Sequence, residues 1–249
     1  MIDDARRSQV FGEDAETYDD ARPGYPDAVI DLLVAHRPVT AVDVGCGTGK
    51  AGRAVVARGV DVLGLEPDPR MATVARRHGL NVTVTTVEEW TPVPRDLMFS
   101  GQAWHWVDHQ VGAVKAATAL SPGGLWAAFW NFEQEPIIQA ALERAYQRFA
   151  PDLVNDRWTR LAVHDREEAI ERSFAATDGF GPLERHEISW VDRLSVAKFV
   201  ARLSTHSLHR LLEQTQAEQL HEAVVAELGS PSTMLELSYT TSVLTTRRR

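Results

Sequence analysis

Cysteine is nearly absent: Cys46 is the one thiol in 249 residues, so neither an intramolecular disulfide nor a cysteine-rich zinc site can form. Long apolar runs are missing too. The longest strongly apolar stretch, LWAAFW at residues 125–130, is far shorter than the roughly 20 residues that span a bilayer. The opening MIDDARRSQVFGEDAETYDD has no apolar core of the kind a signal peptide needs. Positive charge is in deficit, with 26 Lys and Arg against 35 Asp and Glu, a formal net charge of −9. An acidic surface repels phosphate backbones, which argues against a nucleic-acid partner. These shortages predict a soluble, cytoplasmic chain with no membrane partner. What is present, 44% apolar and 24% charged residues, is the composition of a folded domain, and the length fits one large domain with an appended part.

From about residue 39 to residue 131, short valine-rich runs alternate with helix-like segments. Strands are expected at 39–44, 60–65, 81–86, 97–100 and 125–130, and helices at 50–58, 68–78 and 110–119. Pro69 near the start and Gly79 after the end bracket the second helix, the usual terminal asymmetry. Strand–helix alternation with short connections implies right-handed crossovers and a mostly parallel sheet covered on both faces. The unbroken apolar character of VTAVDV and LWAAFW suits strands buried on both sides. Beyond residue 131 the pattern turns helical, at 136–149, 164–176, 195–203 and 208–228. Two further strands, at 187–191 and 235–245, complete the far edge of the sheet. The expected fold is α/β and doubly wound, with a mostly parallel seven-stranded sheet and a helical cap. Arg247–Arg249 are expected to form a solvated tail.

The strongest local signal is Asp43-Val44-Gly45-Cys46-Gly47-Thr48-Gly49 at the end of the first strand. In open parallel sheets ligands bind beyond the carboxyl ends of the strands, and glycines there let the backbone turn tightly and a ligand come close. Glu66 ends the second strand, placed to accept hydrogen bonds from ribose hydroxyls. Asp43 discriminates among adenosine-containing ligands. Its carboxylate would repel a pyrophosphate and attract an ammonium or a sulfonium, and S-adenosylmethionine carries both cations and no phosphate. A dinucleotide frame from Gly45 puts Lys50 where the third glycine belongs, and a phosphate-binding loop fails because Ala51 follows Lys50.

VDVGCGTGK at residues 42–50, LEPD at 65–68, SGQAWHWVD at 100–108 and the upstream FGEDAETYDDARPGYP together resemble the class I S-adenosylmethionine-dependent methyltransferases, in their small-molecule, type 11 branch. The resemblance covers residues 11–131. It implies that Gly45 and Gly47, with Cys46, Thr48 and Gly49 in the same turn, flank the methionyl part of the cofactor. Asp43 would link to its ammonium directly or through water, and Glu66 would hold the ribose. Pro67 and Met71 would line an adenine face, while Val87 and Glu88 would meet the adenine edge. Many relatives carry Asp where this chain has Thr86; the threonine hydroxyl or Glu88 would substitute. Ser100 and Gln102 belong to the matching fourth-strand motif, and Tyr18 and Arg22 to the N-terminal segment that closes over the cofactor.

Trp104, His105 and Trp106 follow the fourth strand, and Trp130 and Asn131 end the fifth. The tryptophans and Asn131 are candidate acceptor-binding groups, since indole rings offer apolar walls and can stabilise a cation; packing helices onto the sheet is the competing role. His105 is the candidate general base, against a positioning or packing role. His105 and His109 lack the third ligand and the intervening glutamate of a zinc-protease motif, so no metal is expected. His206 and His209 read as surface or lid residues, and Arg22 as a partner for a carboxylate or as a solvated arm residue. The organisation implied is one domain, 1–249: a covering arm at 1–26, a cofactor-binding half at 27–131, and sheet completion at 132–249 with a cap insertion at about 195–230, whose Phe199 and Leu203 would line an acceptor pocket. The implied activity is methyl transfer to a small-molecule acceptor. Its rivals are a catalytically inactive S-adenosylmethionine-binding regulator and a nicotinamide-dependent oxidoreductase.

Overall fold

The computed structural model describes residues 15–151, 160–210 and 212–249; the first fourteen residues of the expected arm lie outside them. The chain divides into two compact units. One, the sheet unit, comprises Gly24–Phe132, Arg160–Ile188 and Thr240–Arg249, and the other, the helical unit, Met1–Pro23, Glu133–Thr159 and Ser189–Tyr239.

The strands are β1 (Thr40–Val44), β2 (Asp61–Leu65), β3 (Asn81–Thr83), β4 (Arg95–Gly101), β5 (Leu120–Glu133), β6 (Glu184–Ser195) and β7 (Met234–Arg247). They form the expected seven-stranded sheet, in the order β3-β2-β1-β4-β5-β7-β6. β1 pairs in parallel with β2, from Thr40 opposite Asp61 to Val44 opposite Leu65, and with β4, from Ala41 opposite Leu97 to Asp43 opposite Phe99. β4 pairs in parallel with β5 up to Gly101 opposite Phe129. This register brings the carboxyl ends of β1, β2, β4 and β5 to one level, and the strand order reverses between β1 and β4.

Period-two alternation explains why both faces are covered. Ala41, Leu97, Phe99, Leu125 and Ala127 pack with Val29, Ile30 and Leu33 of α2 (Asp27–Val34) and with Val55 of α3 (Lys50–Val56). Ala72 and Ala75 of α4 (Pro69–Arg77) join the same core. The intervening Val42, Val44, Met98, Trp126 and Ala128 pack on the other face, with Ala113 and Ala116 of α5 (His109–Ala119) and Ile170 and Phe174 of α7 (Arg160–Ala175). Local chemistry sets the helix starts. The Asp68 side chain accepts from the Arg70 N–H at 2.8 Å, with Pro69 in the first turn, and Asp108 accepts from the Gln110 and Val111 N–H groups at 3.0 Å; both are N-caps.

Element limits depart from expectation where a partner far along the chain intervenes. β1 starts at Thr40 because the Val39 and Thr40 N–H groups both donate to Asp96 Oδ2 at 2.9 Å. β3 stops at Thr83, leaving Thr86 in the turn closed by Trp90 N–H to Thr86 O. β5 begins early because Gly123 N–H donates to Arg248 O and Arg248 N–H to Gly124 O. The arginine tail is therefore not solvated throughout: Arg248 is tied into the sheet, with Nε donating to Ala117 O at 3.1 Å and its guanidinium 5.9 Å from the Phe180 ring centroid.

The helical unit contains α1 (Ala15–Ala21), α6 (Pro136–Phe149), α8 (Val196–Ser204), α9 (Ser207–Arg210) and α10 (Gln214–Leu228). The expected helix 208–228 is broken, with Glu213 extended at φ −60° and ψ 145° before α10. Ile138, Leu142, Leu220, Val224, Leu237 and Tyr239 build its core. Phe199 and Leu203, expected to line a pocket, are 2% and 4% exposed and belong to that core. Among the described residues no helix is long and apolar enough to cross a membrane.

Trp126 is fully buried, with its ring centroid 5.0 Å from that of Trp104 and 4.3 Å from that of Phe174, and its indole nitrogen has no hydrogen-bond partner. Trp126→Ala is expected to cost about 3–5 kcal/mol. Trp126→Phe, which also deletes the orphaned N–H, should cost well under half of that in urea denaturation.

Candidate active site at the ends of the parallel strands

The glycine turn leaves β1 where the strand order reverses. Gly45 has φ +67°, and a Cβ there would lie 2.5 Å from the Cβ of Ala103 in the loop after β4. Its N–H and that of Cys46 donate to Leu65 O at 2.9 and 3.0 Å, which joins the turn to the end of β2. Gly47 has φ +57° and donates its N–H to Glu66 Oε2 at 2.8 Å. Both left-handed conformations favour glycine.

Two acids flank this turn, Asp43 in β1 and Glu66 just after β2, both buried. Glu66 is 8% exposed, with its second oxygen accepting from the Asp68 N–H at 2.9 Å. Burial pushes its pKa up to about 7, against the pull of those two amides. Each oxygen retains a second lone pair for a ligand hydroxyl. Asp43 is 1% exposed and neither carboxylate oxygen has a hydrogen-bond partner. Burial raises its pKa to about 8; the Gly52 N–H pulls it down without reaching hydrogen-bond geometry, and the Glu66 charge pushes it up. An orphaned buried carboxylate costs several kcal/mol unless a cation or donor meets it. Such groups concentrate at functional sites.

The remaining residues divide by what they touch. Cys46 packs against Gly64, where an added Cβ would lie 2.7 Å from its Sγ. Burial and the neighbouring Asp43 and Glu66 charges hold its thiol pKa well above the usual range, so it is a small packing residue and no nucleophile. Thr48 is buried, Gly49 has φ +86°, Pro67 is exposed and Met71 approaches Gly47 from α4. Thr86 Oγ1 accepts from the Glu89 N–H at 3.3 Å, Val87 is buried, and Glu88 accepts from the Asp108 N–H at 2.9 Å. Ser100 is fully buried and donates to Val44 O at 2.8 Å, a bond between β4 and β1.

Gln102 holds φ +60°, a left-handed conformation that side chains rarely adopt, with its N–H donating to Phe129 O at 2.8 Å. Such strain concentrates at functional sites. Trp104 is fully buried against Trp126, so the structure corrects the expectation that it meets an acceptor: it is a core residue. His105 and Trp106 lie partly exposed on the 3-10 turn Trp104–Trp106. Trp130, only 2% exposed, donates from Nε1 to His105 Nδ1 at 3.2 Å. Asn131 bridges Gly24 O, to which its amide donates, and the Thr241 hydroxyl, from which it accepts.

Tyr18 and Arg22 lie in the helical unit. Arg22 donates to Thr205 Oγ1 at 2.8 Å and to Thr205 O at 3.2 Å, with its guanidinium 5.1 Å from the Tyr18 ring centroid; it is not a solvated arm residue. His209 is 5% exposed and bonded to Tyr146 Oη and to His221, which corrects the surface alternative of the surface-or-lid expectation. Among the described residues no group of three or more His, Cys, Asp or Glu is placed to hold a metal. Two features escaped the sequence reading. Gly101 must be glycine because a Cβ would meet the Tyr25 hydroxyl at 2.6 Å, and the His105–Trp130 pair emerges only once β4 and β5 are known to be neighbours.

A family model described as a methyltransferase domain matches residues 42–128, the stretch from β1 into β5. The chain is 28% identical over 205 residues to the uncharacterized methyltransferase Rv3342 of Mycobacterium tuberculosis, covering 80% of this chain and 77% of that protein. It is 33% identical over 132 residues to the trans-aconitate 2-methyltransferase of Mycobacterium marinum, covering 49% of each. The solved structure of a proposed type II methyltransferase from Anaeromyxobacter dehalogenans matches with a TM-score of 0.62 at 22% identity, over 90% of this chain and 97% of that one, a likeness of fold.

Proposed function

We propose, for a chain that belongs to the class I S-adenosylmethionine-dependent methyltransferases, the methylation of a small acceptor that carries carboxylates. The observation that carries the cofactor half of this reading is the buried, unpartnered Asp43 carboxylate beside a left-handed glycine turn. It fits an ammonium-bearing ligand, directly or through a water, as a dinucleotide phosphate would not. Glu66 would take the ribose hydroxyls on its remaining lone pairs. Gly45 and Gly47 would flank the methionyl part, Pro67 and Met71 one adenine face, and Thr86, Val87 and Glu88 the adenine edge. When bound, S-adenosylmethionine supplies an electrophilic methyl group. The protein's own contribution is to hold the two reactants in line and exclude water.

The acceptor class is supported by the trans-aconitate 2-methyltransferases that match about half of this chain. His105 and Trp106, on the turn after β4, would face it, with buried Trp130 holding His105. A cytoplasmic location, with no metal and no nucleic-acid partner, completes the reading.

Calorimetry should show S-adenosylhomocysteine binding with no comparable heat from NAD or ATP. Mass spectrometry should then find methyl transferred from labelled S-adenosylmethionine to trans-aconitate. Tight NAD binding without S-adenosylhomocysteine binding would overturn the cofactor assignment. Methylation of only non-carboxylate acceptors from a metabolite extract would overturn the acceptor class.

A further inference from the structure

An indole N–H can donate a hydrogen bond and cannot accept one. Trp130 Nε1 lies 3.2 Å from His105 Nδ1, so Nδ1 must supply its lone pair to that bond. A neutral imidazole carries one proton, which therefore resides on Nε2. In this state the ring has no lone pair left with which to take a proton from an acceptor: the one it has is directed at Trp130. Adding a proton at Nδ1 would set two N–H groups face to face and break the bond.

The surroundings make this arrangement stiff. Trp130 is 2% exposed at the end of β5, on the same face as fully buried Trp126. His105 sits on the 3-10 turn whose first residue, Trp104, is anchored in the core. The Trp106 ring lies against the imidazole, with centroids 4.6 Å apart and planes at 49°.

We infer that His105 serves the reaction as a hydrogen-bond donor through Nε2–H and not as a general base, with Trp130 as the positioning residue that fixes its tautomer. The inference deepens the reading above and rests on it for the acceptor. Without a base, the acceptor must arrive with a lone pair already available on its nucleophilic atom at neutral pH. A carboxylate does so, its ordinary pKa being about 4, and its oxygens suit an N–H donor.

The tautomer can be read without any acceptor. Two-bond proton–nitrogen correlation spectra of uniformly 15N-labelled protein report which imidazole nitrogen is protonated, with the His105 signals identified by their loss in His105→Gln. The expected result is a proton on Nε2 in the wild type and a mixture of tautomers in Trp130→Phe. A proton on Nδ1, or a mixture in the wild type, overturns the inference. Should Trp130→Phe fail to fold, the wild-type spectrum still decides. Kinetics with trans-aconitate supply the second readout. Glutamine can donate but cannot act as a base, so His105→Gln should lose about tenfold while His105→Leu loses about 100-fold or more. Equal losses in both variants overturn the donor role. Absence of transfer to trans-aconitate in the wild type counts against the acceptor class alone and leaves the tautomer test intact.

Discussion

Asp43→Asn is expected to weaken S-adenosylhomocysteine binding by about 10- to 100-fold while making the ligand-free protein more stable. The first effect follows from losing a charge-assisted hydrogen bond to the ligand ammonium, worth about 1.5–3 kcal/mol. The second follows from the folded-state pKa. Burial lifts Asp43 to about 8, above the value near 4 that an unfolded chain gives it. As pH rises from 4, the unfolded state therefore gives up its proton first, and folding stability falls by up to about 1.4 kcal/mol per pH unit until pH 8. Asparagine removes that slope and leaves only the smaller share from Glu66, whose pKa is raised to about 7. Urea denaturation of both proteins from pH 5 to 8 measures the difference. Calorimetry in two buffers of different ionisation enthalpy adds an independent check, since a cation arriving at Asp43 below pH 8 should expel a proton. Unchanged affinity in the variant, or binding without proton release, would show that the ammonium is held elsewhere.

Acid should loosen the helical unit. His209 bonds to Tyr146 Oη of α6 at 2.9 Å and to His221 Nε2 of α10 at 3.3 Å. Burial first, then the His221 and Arg22 charges, lower its pKa to about 3. Burial also lowers His221, and burial together with Arg22, His209 and Arg202 lowers His206. The charged groups named in these shifts are all basic. Because the folded pKa lies below the ordinary 6.5, the stabilising contribution is complete above about pH 7 and drains away as pH falls from 6.5 toward 3, at up to about 1.4 kcal/mol per unit for His209. Hydrogen-exchange protection in α6 and α10, after correction for the intrinsic exchange rate, should fall between pH 7 and pH 5, and His209→Phe should flatten that dependence. Protection in α10 that is indifferent to pH over this range would falsify the prediction.

How far the sequence spoke depended on the range of the interactions concerned. β1, the glycine turn and the capped helix α4 were legible because periodicity, Asp68, Pro69 and Gly79 act within a few residues. The parallel, doubly wound class followed from strand–helix alternation, which admits few topologies. What stayed hidden needs a partner far along the chain. The early start of β5 depends on Arg248, and the burial of His209 on Tyr146 and His221. Within the site, Asp43 was identifiable by its type and position, yet its lack of any hydrogen-bond partner is a property of packing. Trp104 and Trp130 look alike in sequence and share one core; only the fold leaves the N–H of one without a partner and points that of the other at a histidine.

The helical unit is drawn from three stretches of chain, the first at residues 1–23 and the last at 189–239. The bond from Arg202 Nε to Ala21 O spans 181 residues. At synthesis rates of 5–20 residues per second, α1 leaves the ribosome roughly ten to forty seconds before the guanidinium that will hold it exists. A helix of seven residues has no stability of its own to fill that interval. Its buried side chains are only Ala15 and Ala21, so the waiting segment exposes little that would aggregate. Docking of α1 is thus completed only after α8 has been made, and the three acids of AETYDDA keep the waiting helix compatible with water.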